Sequence, residues 1–448
     1  MADGRSINVD TLIDEQKFGG FALRVLVLAL LALIADGYDI QVMSFAAPSL
    51  MKAWHVPRAD FAPVFSASLF GILFGAPIFG WLGDKFGRKL CIILSSVAYG
   101  LMCLACLLAR DLDTLMALRF LTGMGLGGVM PNAIAVAAEL SPRSTRAALA
   151  SFTAVGISLG GIVPGLISAS LPPGPTWRML FLVGGLAPMA IAALVAVGLP
   201  ESVGLLVQRK APRERIARLV RSISPGLDIP PDATFTIRPA PDAGRSGFAQ
   251  LFAGKLKLVT PLLWLMFAAT LLSIFMLTSW MPLLFEASGL SPAKAAGANS
   301  LFQAGGVAGC IVVAMLLGRF GGRLVAAMFV LSLIAIGVAA RANLGPAALG
   351  AAVTVCGFFL IGAQAALNGT AGLIYPTAAR ARGVGLALGV GRIGSVIGPL
   401  IAGAMVAGGV SSARDLFLLP LAPLALGAVA ALVVMGRLNL KPAAGPAA

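Results

Sequence analysis

Two carboxylates lie three residues apart in the otherwise apolar segment IADGYDI, residues 34–40. In a helix, Asp36 and Asp39 would share one face, because positions i and i+3 are neighbours. If the stretch crosses a membrane, each charge costs roughly 2.5–3.5 kcal/mol, so both residues are functional candidates. Low dielectric and mutual repulsion disfavour two ionised carboxylates, and we predict that this pair binds protons. The alternative is that one aspartate pairs permanently with an arginine and fixes helix packing.

Two arginines, Arg119 and Arg392, lie in apolar stretches of their own. We predict that Arg119 pairs with an aspartate when the site is empty and with an anionic substrate when it is full. An orienting salt bridge is the alternative. Arg392 suits the same anion, because a guanidinium matches a carboxylate in bidentate geometry. Its long side chain would alternatively extend to the nearer aqueous surface.

Uncharged polar and aromatic side chains complete the candidate substrate site. Gln364 and Asn368 are four residues apart on one predicted helix face, where they either line a cavity or join helices. Trp280 would stack on an aromatic ring or anchor a helix at the membrane interface. Tyr38 would donate a hydrogen bond to the substrate or simply pack between helices.

The composition identifies the class of protein that must position these residues. Of 448 residues, 58% are hydrophobic and 11% are charged, and the mean hydropathy is +0.95. Soluble domains carry about 25% charged residues, so the sequence predicts an all-α polytopic membrane protein. Twelve apolar runs are long enough to cross the hydrocarbon core. We predict spans near residues 22–47, 61–82, 90–109, 114–139, 148–171, 178–199, 258–284, 293–317, 324–341, 347–374, 384–407 and 415–436.

The distribution of charge predicts the topology. The net charge of +15 would suggest nucleic-acid binding in a soluble protein, but here most of the 33 Lys and Arg residues fall on one side of the predicted spans. That side is expected to be cytoplasmic, which puts both termini inside. Residues 201–257 are rich in basic residues and contain Pro225, Pro230, Pro231, Pro239 and Pro241. We therefore predict six-helix bundles at residues 1–200 and 258–448, joined by a cytoplasmic basic linker that is either solvated or partly helical on anionic lipid.

The two predicted bundles repeat each other in sequence. A shift of 234 residues aligns LGDKFGRK, residues 82–89, with LLGRFGGR, residues 316–323. The same shift aligns SPRSTR, residues 141–146, with YPTAAR, residues 375–380. A parallel repeat of this kind, related by an axis along the membrane normal, is typical of transporters that work by alternating access.

GWLGDKFGRK, residues 80–89, resembles the loop signature of the major facilitator superfamily, and RFLTGMGLGG, which begins at Arg119, resembles its fourth-helix motif. The resemblance covers essentially the whole chain. It implies a conformational gate that includes Asp84, and Glu139 either joins that gate or serves as a proton exit. The second copy of the loop has Gly318 in place of Asp84, so the halves are not expected to lock symmetrically. The full predicted gate comprises Gly80, Asp84, Arg88, Glu139, Arg143, Arg146 and Arg380.

Within that superfamily, DGYD in the first span and YPTAARARGVGLALGVGRIG, residues 375–394, resemble the aromatic acid:proton symporters. The resemblance implies import of benzoate-like, hydroxybenzoate-like or phenylpropionate-like carboxylates with protons across a bacterial inner membrane. A drug or metabolite efflux antiporter is the alternative. We expect a monomer in the lipid bilayer with no enzymatic activity, no cofactor, no metal and no nucleic-acid partner.

Overall fold

A computed structural model of the protein describes residues 6–16, 18–171, 176–227, 229–230, 233–238, 248–341, 346–375 and 377–438. Within this part of the chain, twelve helices are long and apolar enough to cross a membrane, as the sequence predicts. We number them spans 1 to 12 in chain order. They are Gly20–Trp54, Arg58–Phe86, Arg88–Leu108, Leu112–Glu139, Phe152–Ser170, Thr176–Gly198, Leu256–Ala287, Pro292–Phe320, Gly322–Arg341, Ala348–Ile374, Arg382–Ala407 and Ala413–Arg437.

The spans are not all single regular helices. Span 4 consists of helices Leu112–Leu126 and Val129–Glu139, separated at Gly127 and Gly128. Asp111 caps the first of these helices, because its carboxylate accepts a hydrogen bond from the Thr114 N–H at 2.7 Å. The helix of span 5 begins at Arg146, before the apolar stretch itself. The N-terminal part of span 4, which carries Arg119, is thus a separate 15-residue helix.

The bundle has two ends, and each has its own structure. We call the end that holds the start of span 1 and the loop between spans 2 and 3 the linker face, and the other end the opposite face. On the linker face, strand Ser6–Asn8 pairs in parallel with strand Thr234–Thr236, and helix Val9–Glu15 follows the first strand. Residues 201–257 supply helices Val203–Gln208 and Arg213–Ile223 and the short 3-10 helix Phe248–Phe252. Of the linker prolines, Pro231, Pro239 and Pro241 lie outside the described residues.

Spans 1–6 and spans 7–12 form two halves that meet through span pairs 5 and 8, 2 and 11, and 1 and 7. Close contacts between the halves lie in the middle of the bundle and toward the opposite face. Ser66 Oγ of span 2 donates a hydrogen bond to the Val396 carbonyl of span 11 at 2.7 Å. Lys52 Nζ and Glu286 Oε2 form an ion pair of 3.1 Å at the opposite face. The ion pairs of Arg88, Arg146 and Arg238 at the linker face lie within the first half and the segments docked on it.

Candidate functional site

Asp39 and Arg119 form a buried ion pair between spans 1 and 4. Arg119 Nη1 donates a hydrogen bond to Asp39 Oδ1 at 3.1 Å, and Nη2 lies 3.0 Å from Oδ2. Nη2 also donates to the Asp39 backbone carbonyl at 3.0 Å. The Asp39 side chain is 0% exposed and the Arg119 side chain is 1% exposed. Since the guanidinium holds both the carboxylate and the backbone of the same residue, this pair fixes span 1 against span 4.

Asp36 lies one turn nearer the linker face and does not share this partner. It is buried, and its Oδ1 has no hydrogen-bond partner among the described residues. It interacts electrostatically with Arg392 of span 11. Arg392 Nη2 contacts Met130 Sδ of span 4 at 3.5 Å, so this guanidinium reaches across the boundary between the halves. The two aspartates thus lie near different arginines, whereas the sequence offered only Arg119 as a partner for an aspartate.

The two residues between the aspartates both face the first half. A Cβ on Gly37 would lie 2.0 Å from the Ile157 carbonyl oxygen, so glycine is needed for span 5 to approach span 1. Tyr38 Oη donates a hydrogen bond to the Leu180 carbonyl of span 6 at 2.9 Å, and its ring is buried. The expectation that Tyr38 binds substrate does not fit this geometry, because the hydroxyl is already satisfied within the first half.

Trp280 lies in the contact between the halves toward the opposite face. Its indole Nε1 donates a hydrogen bond to the Pro399 carbonyl at 3.1 Å, and the side chain is fully buried. The ring of Phe65 from span 2 packs edge-on against it, with centroids 5.2 Å apart. Trp280 therefore does not sit at a lipid interface in this structure, but in a dry contact that would have to open for a ligand to enter from the opposite face.

Gln364 and Asn368 are paired with each other. Gln364 Nε2 donates a hydrogen bond to Asn368 Oδ1 at 3.0 Å, and Asn368 is exposed. Gln364 Oε1 is buried without a hydrogen-bond partner among the described residues. A pair that joined helices would bond to a neighbouring span, so the observed pairing favours the interpretation that these amides line a cavity.

The predicted gate residues divide into two clusters on the linker face. In the first, the Arg88 guanidinium forms an ion pair with Asp84 and approaches Glu139 Oε1 to 3.4 Å. Arg88 also donates a long hydrogen bond to Asn132 Oδ1 at 3.5 Å. Asn132 was missed at the sequence level, although a polar amide at lipid depth is the same signal that drew attention to Asn368.

Close packing in this first cluster occurs at Gly83, not at Gly80. A Cβ on Gly83 would lie 1.9 Å from Asn132 Oδ1, and nothing lies within 4 Å of a Cβ on Gly80. Asn132 itself is held by its amide, which donates hydrogen bonds to the carbonyls of Phe79 at 3.2 Å and Gly128 at 2.8 Å. The signature loop is therefore positioned by the second helix of span 4.

The second cluster centres on Asp14, a residue that no sequence motif marks. Arg146 Nη2 lies 2.6 Å from Asp14 Oδ1, and Arg238 Nη1 lies 3.2 Å from Oδ2. The backbone N–H of Arg143 donates to the Asp14 carbonyl at 3.1 Å, so Arg143 joins the cluster through its backbone. Partial burial alone would raise the pKa of Asp14, but the two guanidinium groups outweigh it and hold the pKa below its ordinary value.

Arg380, the repeat counterpart of Arg146, is exposed and forms no ion pair within the part of the chain that the structure describes. The preceding Pro376 lies outside that part. The acidic partners of both clusters all come from the first half or from the N-terminal helix. In this conformation the gate network therefore belongs to the first half and to segments docked on it.

Comparison with known proteins identifies relatives of the whole chain. The model of the Major Facilitator Superfamily matches residues 29–399. The 4-hydroxybenzoate transporter PcaK of Pseudomonas putida is 36% identical over 396 residues, which cover 88% of each chain. The gallate transporter of Pseudomonas putida is 36% identical over 401 residues, 89% of each chain. The 3-(3-hydroxy-phenyl)propionate transporter of Escherichia coli is 31% identical over 387 residues, 85% of this chain and 86% of the relative.

Solved structures show the same fold at low sequence identity. A bacterial homologue of the human lysosomal transporter Spinster, in an inward-facing and occupied conformation, has a TM-score of 0.71 at 16% identity and covers 96% of this chain and 100% of its own. The xylose transporter XylE of E. coli, in a partially occluded inward open conformation, has a TM-score of 0.69 at 15% identity. It covers 94% of this chain and 100% of its own.

Proposed function

Because this chain belongs to the Major Facilitator Superfamily and is therefore a membrane transporter and not an enzyme, we propose that it imports aromatic carboxylates together with protons. The substrate class is supported by the relatives, which are named for 4-hydroxybenzoate, gallate and 3-(3-hydroxy-phenyl)propionate. All three names describe an acid on an aromatic framework. Coupling to protons is supported by residues of this chain.

The observation that carries the proposal is the position of Arg392, whose guanidinium crosses the boundary between the halves to Met130 and lies within electrostatic range of the buried Asp36. When a substrate carboxylate binds the Arg392 guanidinium in bidentate geometry, it neutralises the positive charge that had balanced Asp36. The carboxylate of Asp36 is buried and has an oxygen without a hydrogen bond, so it then binds a proton in preference to remaining ionised and unpaired. One anion and one proton move together, and the step is electroneutral.

Arg119 has a different role in this mechanism. It is enclosed with Asp39 and also holds the Asp39 backbone, so we assign it to fixing the shape of span 1. In this proposal Asp39 stays paired with Arg119, and Asp36 exchanges the proton. Gln364 and Asn368 supply hydrogen bonds for ring substituents on the other side of the cavity.

Alternating access is supported by the distribution of contacts between the halves. Contacts of Ser66 with Val396, Phe65 with Trp280, and Lys52 with Glu286 close the boundary in its middle and toward the opposite face. We propose that the protein lies in the bacterial inner membrane with both termini and the linker face in the cytoplasm, which makes this conformation inward-facing. A rocking motion of the halves would break these contacts and bring the gate clusters of the linker face against the second half.

The test is uptake of labelled 4-hydroxybenzoate into proteoliposomes with an imposed pH gradient. Uptake should require an inward proton gradient and should be lost in Asp36→Asn. Arg392→Gln should raise the substrate concentration for half-maximal uptake by roughly 10- to 150-fold, the value of a hydrogen bond to a charged group. Arg323→Gln removes an equally positive, exposed side chain from the linker face and is the matched control.

Two results would contradict the proposal. Uptake that ignores the pH gradient, or that survives Asp36→Asn with its proton dependence intact, would remove Asp36 from the coupling step. Thermal stabilisation by lipophilic cations and not by aromatic acids would favour a drug efflux antiporter instead.

A further inference from the structure

A cleft of about 660 Å³ lies at the linker face on the outer side of the first half. Its walls come from the ends of spans 3 and 6 and from the helix Arg213–Ile223 of the linker. It is separate from the candidate substrate site, because it shares no residue with the aspartate–arginine pairs. We call it the basic cleft.

The cleft is strongly positive. Five basic side chains line it: Arg24, Lys89, Arg209, Arg215 and Arg218. They come from span 1, span 3 and the linker, and one carboxylate, Glu201, also lines the cleft. This excess of positive charge is the complement of an anion.

The packing of the linker helix explains why its arginines point into the cleft. Its apolar residues Ile216, Ala217 and Val220 are buried against the protein, which leaves Arg215 and Arg218 exposed. The apolar face of this helix therefore packs on the protein, whereas the apolar face of an isolated amphipathic helix would insert into lipid. Lys89 is fixed in place by its Nζ, which donates a hydrogen bond to the Ala196 carbonyl of span 6 at 2.7 Å.

The other wall of the cleft is apolar and faces outward. Leu90 of span 3 is 41% exposed and Val197 of span 6 is 92% exposed, and both line the cleft. Leu94 and Leu194 continue these surfaces about one turn further into the membrane and are also exposed. Trp81 and Phe86, near the linker-face end of span 2, are also exposed, and aromatic rings of this kind are enriched where a membrane meets water.

We propose that the basic cleft binds the headgroup of an anionic phospholipid. The phosphate lies between the guanidinium groups of Arg215 and Arg218, where charge-assisted hydrogen bonds are strongest. The acyl chains descend along Leu90 and Val197 into the bilayer. A soluble anion would use the basic residues but not the apolar wall, so the combination of both surfaces favours a lipid over free phosphate.

The experiment measures retention of dioleoyl phosphatidylglycerol by the full-length protein in detergent, with native mass spectrometry as the readout. Dioleoyl phosphatidylcholine is the neutral lipid for comparison. The variant Arg215→Gln/Arg218→Gln should bind phosphatidylglycerol at least roughly tenfold more weakly, since each basic residue at an anionic surface contributes several-fold. The control is Lys255→Gln/Lys257→Gln, which removes two exposed positive charges from the same linker outside the cleft.

The proposal requires that phosphatidylglycerol bind more tightly than phosphatidylcholine, that the control retain this preference, and that the cleft variant lose it. An equal loss of phosphatidylglycerol affinity in both variants would show that the lipid binds to a diffuse positive surface and not to a specific site. Competition by inorganic phosphate or glycerol 3-phosphate at concentrations similar to the lipid would show a site for soluble anions. Either result would overturn the proposal. Melting in phosphatidylcholine checks that both double variants are folded.

Discussion

Neutralising the two aspartates of span 1 one at a time should separate a loss of stability, in Asp39→Asn, from a loss of transport without a loss of stability, in Asp36→Asn. Asp39 is fully buried against Arg119, which is 1% exposed, so Asp39→Asn leaves a buried guanidinium without its counter-ion. Breaking a buried pair from one side typically costs about 3–5 kcal/mol. Among the described residues, Asp36 forms no ion pair within 4 Å and has an oxygen with no hydrogen bond, and Arg392 is only partly buried, so Asp36→Asn should cost much less than Asp39→Asn.

The predicted difference is large enough to measure as a thermal shift. An unfolding entropy of about 2.1 cal/mol/K per residue converts 3–5 kcal/mol into a fall of roughly 3–5 °C for this 448-residue chain. Spans that remain helical on heating have a smaller unfolding entropy, so the fall in Tm should be at least this large. Intrinsic fluorescence during heating of the purified protein in detergent is a suitable assay, with proton-driven uptake measured on the same preparations.

A double variant tests whether the stability is lost because one buried charge is left unpaired. Asp39→Asn/Arg119→Gln removes both charges, so it should recover most of the stability that Asp39→Asn loses, and the coupling energy should exceed roughly 1 kcal/mol. Asp36→Asn should melt near the wild-type temperature yet lose uptake. The reasoning fails if Asp36→Asn melts as early as Asp39→Asn, or if Asp39→Asn melts with the wild type.

Two further predictions concern packing and the linker face. Gly37→Ala places a methyl group against the Ile157 carbonyl and should destabilise the fold by about 1–3 kcal/mol in thermal melts. Gly80→Ala, where the added methyl group has open space, should be neutral or slightly stabilising. Similar losses of stability in both variants would contradict the close approach of spans 1 and 5. Asp14→Asn should speed hydrogen exchange of residues 6–15 at pH 7, and Glu15→Gln, an exposed neighbour, should not. Because the folded-state pKa of Asp14 is lowered, the stabilisation that its carboxylate contributes is complete above about pH 4 and is lost as the pH falls through the lowered pKa. Unchanged hydrogen exchange in Asp14→Asn would refute this role of Asp14. Faster exchange of residues 6–15 in the wild type beginning near neutral pH would refute it as well.

The transmembrane architecture was predictable because one physical constraint acts along the whole chain. The hydrocarbon core sets the length and polarity of each span, so all twelve helices could be located from local composition. The placement of an arginine against the aspartate pair was also predictable. A charge at lipid depth requires a partner, and Arg119 is one of only two basic residues in the interiors of the predicted spans.

Contacts that depend on how the helices are oriented in the tertiary structure were not predictable. Sequence spacing puts Asp36 and Asp39 on one helix face, but it does not show that Arg392 of the other half comes within electrostatic range of Asp36. Tyr38 is near the aspartates in sequence, yet its hydroxyl bonds to span 6. The Asp14–Arg146 contact joins segments 132 residues apart, and neither segment carries a local pattern that marks the other.

The strand pair at the linker face imposes an order on biosynthesis. Ser6 pairs with Thr234, and Asp10 of the adjoining helix accepts a hydrogen bond from the Arg238 N–H, 228 residues away in the chain. At roughly 5–20 residues per second, the ribosome needs about 10–45 s to produce the partner after the first strand emerges. All six spans of the first half are made in that interval. Closure of this small sheet therefore cannot precede synthesis of spans 1–6.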